Sequence, residues 1–402
     1  MKITNLSLAA IAAVAMTTGA MADVDFKIGG QSVVYYQTND ASGTGDLFNQ
    51  KSSNATAGLQ LNANSDIGNG FGLGLQATAL SSWGLENTLV NNLQQGAGTG
   101  DTAPDAGDYF AITKAYLTKK IGNTTLKAGR QELPKSLSPL AFSEDWNAVK
   151  NTFDAVVAIN TDIADTTIVG AYVSQSNGHG AYGSSTDINS FTDLQAQTGH
   201  VIEHAYMLTV ANKSIKAFQP TLSYYGLKDV AGAESGYAVW ADAQIDAGLP
   251  VKLALQGGQI DPDNGFNTTK AVGAKLSGNA GTAAVLLAYS KVNAGPVAVR
   301  NVGTQVKTPL YTQLVLNQSH IGLDAETVVL KASMPAGPGK LTAAYNMTTD
   351  NSAAATDYTE LDLMYKFDAL GTKMFVAYVR QDHDVAGTDA NNFVRFWSRY
   401  NF

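Results

Sequence analysis

The stretch Asn392-Phe393-Val394-Arg395-Phe396-Trp397-Ser398-Arg399-Tyr400-Asn401-Phe402 decides the fold. Counted in twos, Phe402, Tyr400, Ser398, Phe396 and Val394 share one face, and Asn401, Arg399, Trp397 and Arg395 share the other. Side chains of a strand alternate between its faces, so this is a strand greasy on one side and basic on the other. Nothing follows to cover the greasy side. The opposite end of the chain opens with the pattern of an export signal: Lys2, an apolar run from Leu6 to Met16 broken by Ser7, and the small residues Ala20-Met21-Ala22. Together these predict a transmembrane antiparallel β-barrel.

The signal divides the chain into a leader, 1–22, cleaved after Ala22, and one barrel domain, 23–402. Its apolar run falls short of the ~18 residues a spanning helix needs. The 402 residues contain no Cys, which excludes lipoprotein processing and disulfide staples, so closure of the strand ladder must supply stability. Removal of the leader takes one Lys and no acid, leaving 25 basic against 34 acidic residues and no footprint for nucleic acid. Mean hydropathy is only −0.07 and no segment after the leader is continuously apolar, so transmembrane helices are excluded.

Alternation hides hydrophobicity from such averages, and it recurs along the chain. Leu59 and Leu61 oppose Gln60 and Asn62; Val251, Leu253 and Leu255 oppose Lys252 and Gln256; Val328, Leu330 and Ala332 oppose Thr327, Lys331 and Ser333; Leu361, Leu363 and Tyr365 oppose Glu360, Asp362 and Lys366. Short turns rich in Gly, Asp, Asn or Pro alternate with longer polar segments. Eight of the first kind and nine of the second imply about eighteen strands, short periplasmic turns and long extracellular loops. Alternation begins directly after the leader, at Val24, which leaves no room for an N-terminal plug, so loops must narrow the lumen. Two are long enough to fold inward as constriction loops: Leu133 to Asn151, with Glu144, Asp145 and Lys150, and Val292 to Leu323, with Arg300 and Lys307.

At these loops the sequence resembles the OprD-type porins and the related MOMP-type major outer-membrane porins of Gram-negative bacteria. The resembling residues are Leu126-Lys127-Ala128-Gly129-Arg130-Gln131, the loop residues Pro134 and Pro139, and Asn151-Thr152-Phe153. Lys150 stands where that family usually has Pro, and Asp154-Ala155 replaces its common Glu-Gly. The resemblance implies an eighteen-stranded barrel in which the fifth strand leads into a loop folded inside, a homotrimer, and a basic ladder that draws substrate carboxylates.

Sorted by face, Lys252, Lys275, Lys331, Lys366, Arg380, Arg395 and Arg399 point into the lumen, joined by Lys127 and Lys27. Arg130 falls by strict alternation on the face of Leu126 and Ala128, where charge is costly in lipid; a bulge at Gly129 turning it into the pore, or a place at the strand's rim, resolves this. Inward Glu360, Asp362, Asp242 and Asp25 oppose the ladder. Aromatic residues near strand ends, among them Tyr35, Tyr225, Tyr358 and Tyr365, read as interfacial girdles. Phe396, Tyr400 and Phe402 resemble the signal that the outer-membrane barrel-insertion machinery reads.

Five His residues (His179, His200, His204, His320 and His383) lie in or beside long loops. No Gly-x-Ser-x-Gly or His-Glu-x-x-His pattern occurs, which argues against an enzyme. Glu144, Asp145 and Asp154 are the candidate oxygen ligands for Ca²⁺ at the constriction. The sequence therefore predicts a water-filled outer-membrane channel for passive diffusion of ions and small hydrophilic solutes, with no enzymatic role. The alternative is a narrower OprD-like channel preferring small carboxylates; a surface adhesin or antigen role of the loops would add to either.

Overall fold

The structure, a computed structural model, describes residues 25–41, 45–85, 88–96, 108–177, 188, 191–196, 200–230, 233–263, 265, 267–353, 356–385 and 389–402. The leader with Lys2, its cleavage site at Ala22, and also Val24 and His179 lie outside the described residues.

Eighteen antiparallel strands each pair with their neighbours in sequence. The ring closes where β1 (Phe26–Asn39) meets β18 (Asn391–Asn401), in register from Gln31 opposite Asn401 to Asn39 opposite Phe393. Closure leaves no strand edge unpaired, which a barrel in lipid requires because no water is present to satisfy backbone groups. The eight tight connections and nine opposite ones match the expected alternation. At Asn69 and Gly70 both residues have positive φ, +53° and +75°, the paired left-handed geometry that a two-residue hairpin of natural twist demands.

Strands overrun the boundaries that polarity suggests. The segment Leu227 to Ser235 reads as a long loop, yet strands Phe218–Val230 and Ala233–Ile245 continue through it to the pair Val230 and Ala233. Beyond the hydrocarbon layer both faces of a strand meet water, so polar residues do not mark its end. Among the described residues, three short strands lie outside the ring: Asn92–Leu93, Phe191–Ala196 and His200–Ile202.

Large apolar side chains face outward as predicted: Ile28, Val272 and Leu330 are each more than half exposed. Phe402 and Tyr400 stack on this outer face, ring centroids 6.1 Å apart. Gly30 N–H donates to Phe402 O at 2.8 Å, and Phe402 N–H returns to Gly30 O at 3.1 Å. The Phe402 ring lies over Gly30 so closely that a Cβ there would stand 2.6 Å from ring Cζ and 2.3 Å from Gln60 O. Gly30→Val should therefore displace the terminal ring and weaken the seam by about 1–3 kcal/mol, the usual cost of overpacking. Heat-modifiability on gels and thermal unfolding measure this; a Gly30→Val barrel as stable as wild type would show that the seat is dispensable.

Candidate functional site

The interior is built by loops that carry apolar residues into it. Leu133, Leu140, Phe142 and Val149 of the loop 132–152, and Val299, Val302, Leu310 and Ile321 of the loop 293–324, are buried. Several pack with the inward Phe153, Val173, Tyr225 and Trp240 of the wall. Each such side chain contributes about 1.5–3 kcal/mol by leaving water, so the loops are held in the lumen by their own composition. The strand Thr124–Gln131, fifth in the ring, leads into the first of them, as the resemblance implies.

A third loop joins them, which sequence reading missed. Val90 and Leu93 are buried, Gln94 bonds Gln37 and Asn147, and the Gln95 amide brackets both Val149 N, at 2.8 Å, and Val149 O, at 2.9 Å. Its signal was available: apolar residues in a segment classed as polar loop have no reason to be there unless covered.

Glu144 fastens the first loop to the second. Its Oε1 accepts from Asn301 Nδ2 at 2.7 Å, from Lys307 N at 3.0 Å and from the Thr304 hydroxyl, while Oε2 accepts from Trp146 Nε1 at 2.5 Å. Such charge-assisted bonds are roughly twice as strong as neutral ones. Asn301 completes the seam, its amide joined to Phe142 N and O at 3.1 and 2.7 Å. The far side of the first loop is clamped to the closing strand. Arg399 donates to Asp145 Oδ1 at 2.7 Å and Asn147 O at 2.6 Å, and Arg395 lies 5.0 Å from the Trp146 ring centre and bonds Gln37.

The second loop is gripped by two fully buried carboxylates on the strand Tyr358–Ala369: Asp362 accepts from Val315 N at 3.1 Å and Glu360 from Leu316 N at 2.9 Å. Beside them His320 stacks on Tyr358 at 3.8 Å and meets His383 edge-on at 4.9 Å. Burial, with His383 and Arg300 nearby, lowers His320 to about 4. Burial also lowers Arg300, whose guanidinium bonds Gln305 O at 3.3 Å.

Several predicted positions are corrected. Arg380 is on the outer face, since its neighbours in alternation, Phe375, Ala377 and Val379, are the buried ones; it pairs with Asp382 at 3.4 Å. That strand is apolar on both faces because Leu316 covers Val379 from inside, so alternation there is uninformative. Arg130 is not pore-lining either. Gln131 beside it is buried and Arg130 keeps the face of Leu126, at the loop end of its strand, where Asp154 receives it at 2.9 and 3.0 Å and the Phe191 ring lies 3.3 Å away. Gly129, at φ +120°, does not reset the alternation. Of the candidate Ca²⁺ ligands, Asp154 is paired with Arg130, Glu144 accepts from Asn301, Thr304 and Trp146, and Asp145 accepts from Arg399. Tyr35, Tyr225 and Tyr358 are buried inside rather than girdling the barrel. His204 packs with Tyr172 and Tyr206.

The remaining charges divide in two. Arg395 and Arg399 face inward but serve the loop. Lys150 shares Glu132 with Lys114, at 3.3 and 2.5 Å; burial would raise the Glu132 carboxyl, but these two ammonium groups hold it below its ordinary value. Lys252 faces inward at the short-turn rim, paired with Asp246 at 3.0 Å. Lys275 lies over the Tyr311 ring at 4.1 Å, Lys127 over Tyr116 at 3.8 Å, and Lys366 over Phe375 at 5.4 Å. Lys331 shares the lumen face of Thr327, Val329 and Ser333. Inward lysines were missed, among them Lys340, opposite Lys366; Lys373, opposite Arg399; and Lys114. Alternation reveals the first two, but a bulge at Thr113 flips the face of Lys114. A cavity of about 380 Å³ opens beneath the loops between Lys135, Pro139, Trp240, Gln244 and Tyr311, whose hydroxyl donates to Asp242. Burial and that carboxylate raise the Tyr311 hydroxyl.

No family model matches the sequence, and no curated protein matches it. Solved structures do. OccAB3 of Acinetobacter baumannii superposes with a TM-score of 0.76 at 13% identity, covering 95% of this chain and 99% of that one. Two proteins of Pseudomonas aeruginosa are alike over 94% of this chain and 98% of theirs: OccK2 (OpdF) in complex with glucuronate, TM-score 0.74 at 14% identity, and OpdK with vanillate, TM-score 0.73 at 14% identity. An identity this low speaks of architecture rather than of ligand. The chain thus has the closed eighteen-stranded fold of the Occ and OprD-type porins.

Proposed function

We propose that this protein is an outer-membrane porin, a water-filled channel for passive diffusion of ions and small hydrophilic solutes, and that it favours small carboxylates. The observation that carries the reading is the division of lumen charge. The inward acids Glu360 and Asp362 are buried against loop backbone and Asp242 receives Tyr311, whereas Lys331, Lys340, Lys366 and Lys127 face the lumen. Loops supply the sieve and lysines the field. Glucuronate and vanillate, the ligands of two structural relatives, are both carboxylates, in keeping with that field.

Reversal potentials in planar bilayers under a salt gradient test this, together with liposome swelling in glucuronate against an uncharged sugar of similar size. Anion preference at low salt and faster glucuronate entry are expected. Cation preference would leave a general porin, and the absence of any conductance would remove the channel reading.

The same reading assigns a leader cleaved after Ala22, a homotrimer in the bilayer, and recognition of Phe396, Tyr400 and Phe402 by the insertion machinery. Deleting Phe402 should leave export to the periplasm intact and reduce the folded, heat-modifiable barrel; full insertion of the truncated chain would refute the assignment.

A further inference from the structure

Lys307 is, with Arg300, one of the residues of the loop 293–324 that charge alone places in the passage, and the structure gives it other work. Its peptide N–H donates to Glu144 Oε1 at 3.0 Å, joining the loop 132–152. Its ammonium turns back along its own loop to Val315 O at 2.6 Å, and to Leu314 O and Gln318 Oε1, both at 3.3 Å. The Trp146 ring of the first loop lies 5.3 Å away. The next N–H groups of that segment, at Val315 and Leu316, are those held by Asp362 and Glu360 of the wall. One chain of contacts thus runs from Glu144 through Lys307 and the segment 314–316 to the wall strand Tyr358–Ala369.

We propose that Lys307 is a positioning residue that sets the width of the channel: its ammonium braces the loop 293–324 upon itself, and so fixes the peptide that meets Glu144 of the loop 132–152. The proposal rests on the channel reading. An ammonium aimed at two carbonyls and an amide oxygen is spent on loop geometry; it is not displayed to passing solutes. Charge is essential to that geometry. The ammonium has three N–H donors for three acceptors, whereas the neutral amine keeps two and turns a lone pair toward the carbonyl oxygens.

The groups facing it are Glu144 from the first loop, Glu360 and Asp362 from the wall, and Arg395 from the closing strand. Burial, with Arg395 adding to it, lowers Lys307 to about 8 against the pull of the three carboxylates. The anchor is therefore intact below this pH and loosens as pH rises through it.

The test uses the full-length protein in planar bilayers, with graded neutral poly(ethylene glycols) reporting the size limit free of any effect on ion selectivity. Wild type should be narrow at about pH 7 and wider at about pH 9.5, where an unperturbed lysine would still be charged. Lys307→Met should be wide at both, with unitary conductance at neutral pH raised roughly twofold or more. A Lys307→Met channel with the wild-type limit overturns the proposal. So does a wild-type limit that is the same at both pH values, a measurement that needs no variant to fold. A folded barrel without conductance would sink the channel reading and this one with it, whereas conduction indifferent to Lys307→Met sinks this one alone.

Discussion

Glu144→Ala should release both constriction loops while the barrel stays closed. The carboxylate is almost fully buried and accepts from four donors, namely Trp146, Asn301, Thr304 and the Lys307 peptide. Removing one side of a buried charged network costs about 3–5 kcal/mol, because the donors left behind have lost water without keeping a partner. Strand pairing contributes none of that energy, so heat-modifiability should survive. Conductance should rise, ion selectivity should fall, and protease added from outside should cut within 132–152 and 293–324. Glu144→Gln should fall between, since its carbonyl oxygen can still accept while its amide N–H₂ confronts donors. If Glu144→Ala resists protease and conducts as wild type does, apolar packing by Leu140, Phe142 and Val302 holds the loops by itself, and the carboxylate is incidental.

The contrast between what the sequence revealed and what it concealed follows from the range of the interactions involved. Strand count, closure and the outward face were legible because they rest on alternation, a property of adjacent residues. That Arg395 and Arg399 point inward was legible for the same reason. Their partners were not: Arg399 meets Asp145 across 254 positions of sequence, and Glu144 meets Lys307 across 163. Residues read as pore charges proved to be the fastenings of the pore. The same long-range cover explains the misplaced Arg380. A loop packed inside the barrel makes the lumen face of its strand apolar, and two apolar faces erase the signal that assigns them. At Lys114 the error was local, a single extra residue at Thr113 that resets the faces beyond it. Tyr35, Tyr225 and Tyr358 deceived for a different reason. A buried tyrosine serving a network and an interfacial tyrosine serving a girdle have the same composition and the same place near a strand end.

Replacing Lys331, Lys340 and Lys366 together with Gln should shift the reversal potential toward cations and slow the entry of small carboxylates. The three sit on neighbouring strands and one face, with Lys340 directly opposite Lys366. Like charges so placed cost roughly 0.2–1 kcal/mol relative to a neutral pair, so the arrangement does not serve stability, and the triple variant should be no less stable than wild type. Each ammonium acts through water, where a unit charge at contact distance is worth only about 1 kcal/mol. At physiological salt the field is screened beyond ~8 Å, so single substitutions should have small effects and the triple a clear one, growing as salt is lowered. Unitary conductance should change less than selectivity, because the lysines lie on the wall and the loops fix the width. Arg380→Gln is the internal control: on the outer face, beside Asp382, it should leave the reversal potential unmoved. A triple variant that keeps wild-type selectivity at low salt would mean that these lysines are solvated wall, and that whatever selects solutes lies at the loops.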